Sequence, residues 1–306
     1  MASSSISTRS LISARPAISP PRASRRLLGG LSALALALTL AGCDSVGTLN
    51  PAGIAEVEDP AMAGASANNI ASLTEVIEKN PGDAQAYNTR GAANARARNY
   101  QAAIADFSQA IRLNPSLASA FSNRGLAYRQ INRPDQALPD FNRAISVDPQ
   151  YAPAYIGRGN LYRARGNLSG ALADLSKAIE LNSQAAEAFH ARGLVYQLQG
   201  QHQFAISDFD AAIDRDPYVS PPYQARAQSS IAVGKYDTAV EDLNAALNID
   251  RNNSDAWAMR GLALEKQGKK KEALESYQSA LGVNDKNQMA REGLGRVSGN
   301  GGSLFR

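Results

Sequence analysis

The chain has 306 residues, 44% hydrophobic and 20% charged, a balance that suits a folded protein of one or two domains. A single cysteine excludes an intrachain disulfide and a cysteine-built zinc centre, and two histidines leave no histidine-rich metal site, so neither metal nor cofactor is expected. The formal charge of +4 belongs to the start of the chain: Arg9, Arg15, Arg22, Arg25 and Arg26 precede Cys43 with no acid among them, and the remainder is close to neutral, which argues against a nucleic-acid partner.

Residues 1–43 read as an export address. A basic, Ser-rich stretch leads into the apolar run Leu27 to Leu40, which is shorter than the ~20 residues a membrane-spanning helix needs. The run ends in Leu40-Ala41-Gly42-Cys43, which resembles a bacterial lipobox. That resemblance implies cleavage before Cys43, lipidation of its thiol and acylation of the new N-terminus. Several acyl chains would then hold the protein on a membrane, where one alone binds marginally. Residues 44–65, rich in Ala, Gly, Pro and small polar residues, read as a flexible tether.

The array is expected over residues 66–297. Ile70, Leu73, Val76 and Ile77 lie at helical spacing and lead to Asn80-Pro81, the pattern of a lone capping helix. From Ala84 the sequence repeats. Arg-Gly recurs at Arg90-Gly91, Arg124-Gly125, Arg158-Gly159, Arg192-Gly193 and Arg260-Gly261, with Arg226-Ala227 in phase, at a step of 34 residues. Counting each repeat from Ala84, position 4 is aromatic (Tyr87, Phe121, Tyr155, Phe189, Tyr223, Trp257) and positions 20 and 27 are always Ala. Position 24 is Phe107, Phe141, Leu175, Phe209, Leu243 or Tyr277, and Pro follows the second helix at Pro115, Pro149 and Pro217. Small residues at positions 8, 20 and 27 let two helices approach, and large residues at 4, 11 and 24 fill the gaps between them. Proline at position 32 is expected to stop the second helix, and Pro139 falls inside one. Gln288 to Val297 stays in frame, with Gly295 at position 8, and reads as a final solvating helix; residues 298–306 read as a disordered tail.

The period and its residues resemble the tetratricopeptide repeat. The resemblance implies an all-α, right-handed superhelical solenoid of antiparallel helix pairs, in which the first helices A line a concave groove. In that family positions 2, 5, 9, 12 and 13 face the groove, which here gives Leu126, Arg129, Ile156, Asn160, Arg163, His190, Leu194, Gln197, Leu198, Gln228 and Leu262. This mixed floor of aliphatics and two arginines would suit an extended or helical peptide with apolar anchors and an acidic group. Leu126, Leu194 and Leu262 could instead pack against neighbouring helices. One subgroup grips chaperone C-termini with Lys at position 5, and no copy here has it. A second regularity pairs Arg90, Arg124, Arg158 and Arg192 with Asp106, Asp140, Asp174 and Asp208, and reads as a structural ladder between helices.

No nucleophile elbow, phosphate-binding loop or HExxH is present, so no catalytic residue is expected. The combination of lipobox and repeats resembles tetratricopeptide lipoproteins of the new lipoprotein I type. This implies a membrane-anchored adaptor of the cell envelope, facing the periplasm, with envelope proteins or peptides such as cell-wall hydrolases or proteases as partners. The alternative is a subunit or assembly factor of an outer-membrane or pilus biogenesis machine. Homodimerisation and the choice of membrane stay open.

Overall fold

The computed structural model describes residues 60–299, with side chains from Asn69 onward. The expected signal sequence, Cys43 and most of the tether and tail lie outside the described residues. Every regular element described is an α-helix: α1 Pro60–Lys79, α2 Ala84–Arg96, α3 Tyr100–Leu113, α4 Ala118–Gln130, α5 Pro134–Val147, α6 Ala152–Ala164 and α7 Leu168–Leu181. These are followed by α8 Ala186–Leu198, α9 His202–Arg215, α10 Ser220–Ala232, α11 Tyr236–Ile249, α12 Ser254–Lys266, α13 Lys270–Val283 and α14 Gln288–Val297. The described helices form a superhelical solenoid. From α2 to α13 the helices form six A/B pairs, each packed internally and against the next; α1 covers the first pair and α14 the last.

The turn from A to B is set by one left-handed residue. Gly166, Gly200, Gly234 and Gly268 hold φ between 70° and 79°, and Arg98 and Asn132 take the same conformation in the first two repeats. In the third repeat Gly166 N–H donates to Arg163 O at 3.1 Å and Asn167 N–H to Tyr162 O at 2.9 Å. This pair of hydrogen bonds satisfies carbonyls that the end of a helix otherwise leaves open.

The stop of helix B corrects the sequence reading. α7, α11 and α13 end at the same repeat position as the others, yet Ser183, Arg251 and Asp285 stand where proline was expected to act. Common to all six is an Asn or Asp just after the last turn: Asn114, Asp148, Asn182, Asp216, Asp250 and Asn284. Each side chain accepts from the backbone N–H two residues on, as Asp148 Oδ1 does from Gln150 N–H at 2.9 Å. This local turn outcompetes a further helical turn with or without proline. Pro139 leaves α5 as long as the other B helices.

Position 24 fills the core. Phe107, Phe141, Leu175, Phe209, Leu243 and Tyr277 are completely buried, flanked by equally buried alanines at positions 20 and 27. Each ring presses on glycine backbone: a Cβ added at Gly193 would stand 2.5 Å from Phe209 Cε1, and one at Gly125 3.0 Å from Phe141 Cε1. Phe141 also meets Gly157 of the following repeat, so one ring wedges two repeats together.

The two ends differ from expectation in detail. α1 begins at Pro60, inside the segment assigned to the tether. Its Ile77 is buried against the array, but Val76 is 46% exposed. In α14 it is Gly293 that meets Tyr277, whereas a Cβ added at the in-frame Gly295 would meet nothing.

Candidate functional site

Helices A lie side by side, and hydrogen bonds join their shared face across repeats. Asn88 Nδ2 donates to Ser119 Oγ at 3.4 Å, and Asn123 Nδ2 to Asn88 Oδ1 at 3.1 Å. Gln197 Nε2 donates to both Ala225 O and Ser229 Oγ, at 2.7 and 2.8 Å. Asn253 Nδ2 reaches Gln224 Oε1 at 2.8 Å. These bonds tie side chains of neighbouring helices A to one another within the array.

The aliphatic floor expected from sequence is mostly core. Ile156 is only 6% exposed and belongs to the cluster formed by α6, α7 and α8. Leu126 packs with Phe141 and Leu161, and Leu194 with Phe209 and Ala225, so each helps join its repeat to the next. Leu262 is partly buried. Leu198, at the end of α8, is 60% exposed, and Gln228 is exposed too. The face is accordingly more polar than its sequence suggested.

Its centre carries charge. Arg129 on α4 and Arg163 on α6 occupy the same position of consecutive repeats, with Glu187 and His190 on α8 beside them. Arg129 Nη1 and Arg163 Nε are closed off from solvent and have no hydrogen-bond partner. Arg163 keeps one long bond, from Nη2 to Asn160 Oδ1 at 3.5 Å. Burial lowers the pKa of both guanidinium groups; nearby Glu187 counteracts this at Arg129, and Arg129 adds to it at Arg163. Arginine stays charged regardless. Burial pushes Glu187 up to about 7 against the pull of Arg129. It pushes His190 down to about 4, with Arg163 adding to the effect, and the ring lies 5.8 Å from that of Phe209. His190 is therefore a neutral wall, and Glu187 is the residue the sequence reading missed. Its signal was an acid at position 2, hidden because acids are common in the first turn of any helix.

The arginines at position 7 are built differently. Arg158 Nε and Nη2 clasp Asp174 at 2.7 and 2.8 Å, while Nη1 donates to Asn142 Oδ1 of the preceding repeat. Arg90, Arg124 and Arg192 clasp Asp106, Asp140 and Asp208 in the same way, and Arg226 clasps Asp242. Their third donors reach Thr74, Ser108, Ser176 and Asp210. Each guanidinium also lies over the aromatic ring at position 4 of its own helix. These arginines join three helices, and each of their three side-chain nitrogens is bonded. In the last pair Ser276 replaces the aspartate, and Arg260 bonds Ser276 Oγ and Asn244 Oδ1 instead.

Among the described residues no His, Cys, Asp and Glu group could hold a metal ion, and no helix is long and apolar enough to cross a membrane.

Three repeat-family descriptions match the chain: "TPR repeat" at residues 99–132, 159–200 and 231–268, and "Tetratricopeptide repeat" at 118–151 and, in a second form, at 186–218 and 254–287. Comparison with curated proteins gave no match. Among solved structures, the APC/C hetero-tetramer Cut9–Hcn1 is similar at a TM-score of 0.68 and 17% identity, covering 77% of this chain. This chain spans only 47% of that one. PilW, a type IV pilus biogenesis factor, gives a TM-score of 0.62 at 17% identity over 68% of this chain and 97% of its own. YrrB, described as having an unusual peptide-binding site, gives 0.52 at 22% over 61% and 96%.

Proposed function

Because the chain belongs to the tetratricopeptide-repeat family, whose arrays are scaffolds for protein–protein interaction, we propose that it is a non-catalytic adaptor holding partner proteins against the face of its helices A. The observation that carries this reading is the contrast in bonding. Along the array the position 7 arginines are clasped by aspartates and the groove amides bond to neighbouring helices A, while the centre of the helix A face keeps charged donors without acceptors. Buried charged donors are costly to leave unmet, so a site that retains them is suited to a partner that supplies the acceptors.

The likeness of Leu40-Ala41-Gly42-Cys43 to a lipobox supports placing this adaptor on a membrane of the bacterial envelope, with the array facing the periplasm. A lipid anchor and a tether would fix the array in place and leave it reach, so that a weak groove acts at high local concentration. Cell-wall hydrolases and envelope proteases are the partners this reading favours. A second reading, a subunit or assembly factor of a pilus or outer-membrane machine, draws on the likeness to PilW, which is a likeness of fold.

Two measurements test the proposal. Replacing Cys43 with Ser should move the protein from the membrane fraction to the soluble one, and an unchanged distribution would remove the lipoprotein reading. Crosslinking in intact envelope, followed by mass spectrometry, should recover a hydrolase or protease. That recovery should fall with Leu198→Asp and Gln228→Glu, which alter exposed side chains of the same face. Recovery of pilus or outer-membrane assembly subunits would favour the second reading. Partners retained by both variants would place binding elsewhere on the array.

A further inference from the structure

We propose that Arg129 and Arg163 form a site, on adjacent helices at the centre of the helix A face, for an acidic side chain within a peptide lying along that face. This rests on the scaffold reading and specifies the chemistry of its ligand.

The geometry argues by comparison within one molecule. Five arginines of the position 7 row each clasp an aspartate through two donors. Arg129 and Arg163 have no ion-pair partner at all among the described residues, although each has a donor cut off from water. Two guanidinium groups on consecutive helices A repel one another, and that arrangement persists only where something compensates it. Nothing on the neighbouring elements does so fully. Glu187 is the acid that acts on Arg129, and burial holds it partly protonated near neutrality. His190 beside Arg163 stays neutral. The centre of the face therefore carries excess positive charge together with unmet planar donors, the combination that best suits a carboxylate.

The surroundings select an internal side chain over a chain terminus. The polar residues on both sides, Asn88 and Asn123 toward one end and Gln197 toward the other, are bonded within the array and continue the face past the arginines. A peptide can thus run through the site in both directions. Glu187 acts as an internal competitor: when ionised it offsets Arg129, and an incoming carboxylate must displace that interaction.

The test is selection of short randomised peptides by the full-length chain, in wild-type form and as Arg129→Gln, Arg163→Gln and Glu187→Gln, each checked by circular dichroism for retained helix. The wild type should select peptides with Asp or Glu enriched at one internal position. For a selected peptide, changing that acid to its amide, or Arg163 to Gln, should each weaken binding about tenfold, as expected for one charge-assisted contact. Arg163→Lys should restore part of the loss, and Glu187→Gln should tighten binding. Amidating the peptide C-terminus should change nothing; a large loss there would replace the internal acid with the chain terminus and overturn the proposal. Selected peptides without acid enrichment would overturn the proposal and leave the scaffold reading intact. A chain that selects no peptide would remove the groove reading itself.

Discussion

At the scale of single residues, the array separates arginines that build it from arginines that it holds open. Arg158 illustrates the first kind, with each of its three side-chain nitrogens bonded, and Arg163 the second. Both were visible in the sequence as members of periodic columns. Their different roles were not, because burial and pairing depend on which helices the repeat brings alongside. Glu187 was missed for the same reason, and it makes a direct prediction. Its carboxyl is raised from an ordinary 4.5 to about 7 by burial. The folded state therefore holds the proton more tightly than the unfolded chain does. Ionisation costs stability progressively as pH rises from about 4.5 to about 7, and that cost is absent below this window. Glu187→Gln should accordingly stabilise the protein by up to about 3 kcal/mol near pH 8 and by under about 1 kcal/mol near pH 5. Urea titrations of both proteins at the two pH values measure this. Taking the difference between variant and wild type cancels the opposite contribution of His190, which loses stability only as acid charges its ring. A pH-independent difference would mean that Glu187 is ionised throughout.

At the scale of helices, the period of 34 residues made the A/B alternation legible almost to the residue, because one pattern is repeated six times. The part that was not read correctly was the end of helix B. Proline drew attention as a breaker, although the Asn or Asp just before it is the feature present in every repeat. The glycines show how much position outweighs propensity. Alanine in a helix is favoured over glycine by about 1 kcal/mol. At Gly157 that gain is overruled, since a Cβ there would collide with the Phe141 ring wedged between two repeats. Gly157→Ala should destabilise the protein by about 1–3 kcal/mol, the range for overpacking a filled core. Gly295→Ala is the matched control in α14, where a Cβ would meet nothing, and it should be neutral or stabilising by up to about 1 kcal/mol. Thermal unfolding of the two variants decides the matter. Equal effects would show that the ring at position 24 can move aside.

At the scale of the whole array, each helix pair touches only its neighbours, so stability should be a chain of local couplings rather than a single core. The C-terminal end shows what a terminal coupling consists of. α14 lays Gly293 and Ala290 over the last pair, and Arg296 Nε and Nη2 hold Glu265 at 2.9 and 3.0 Å. Tyr277 Oη donates to the same carboxylate at 2.6 Å. Contact with Arg296 keeps the Glu265 pKa below its usual value, and burial with that bond raises the Tyr277 hydroxyl. Ending the chain before Gln288 would strip this cover from Tyr277, the largest of the completely buried side chains. In hydrogen exchange such a truncation should lose protection most in α12 and α13, less in α10 and α11, and not measurably in α4 to α6, where Arg129 and Arg163 lie. Peptide binding at the centre should then survive the loss of the end. A uniform loss of protection along the array would instead mean that the repeats unfold as one unit, and that the end helix and the site at the centre are coupled through the full length of the solenoid.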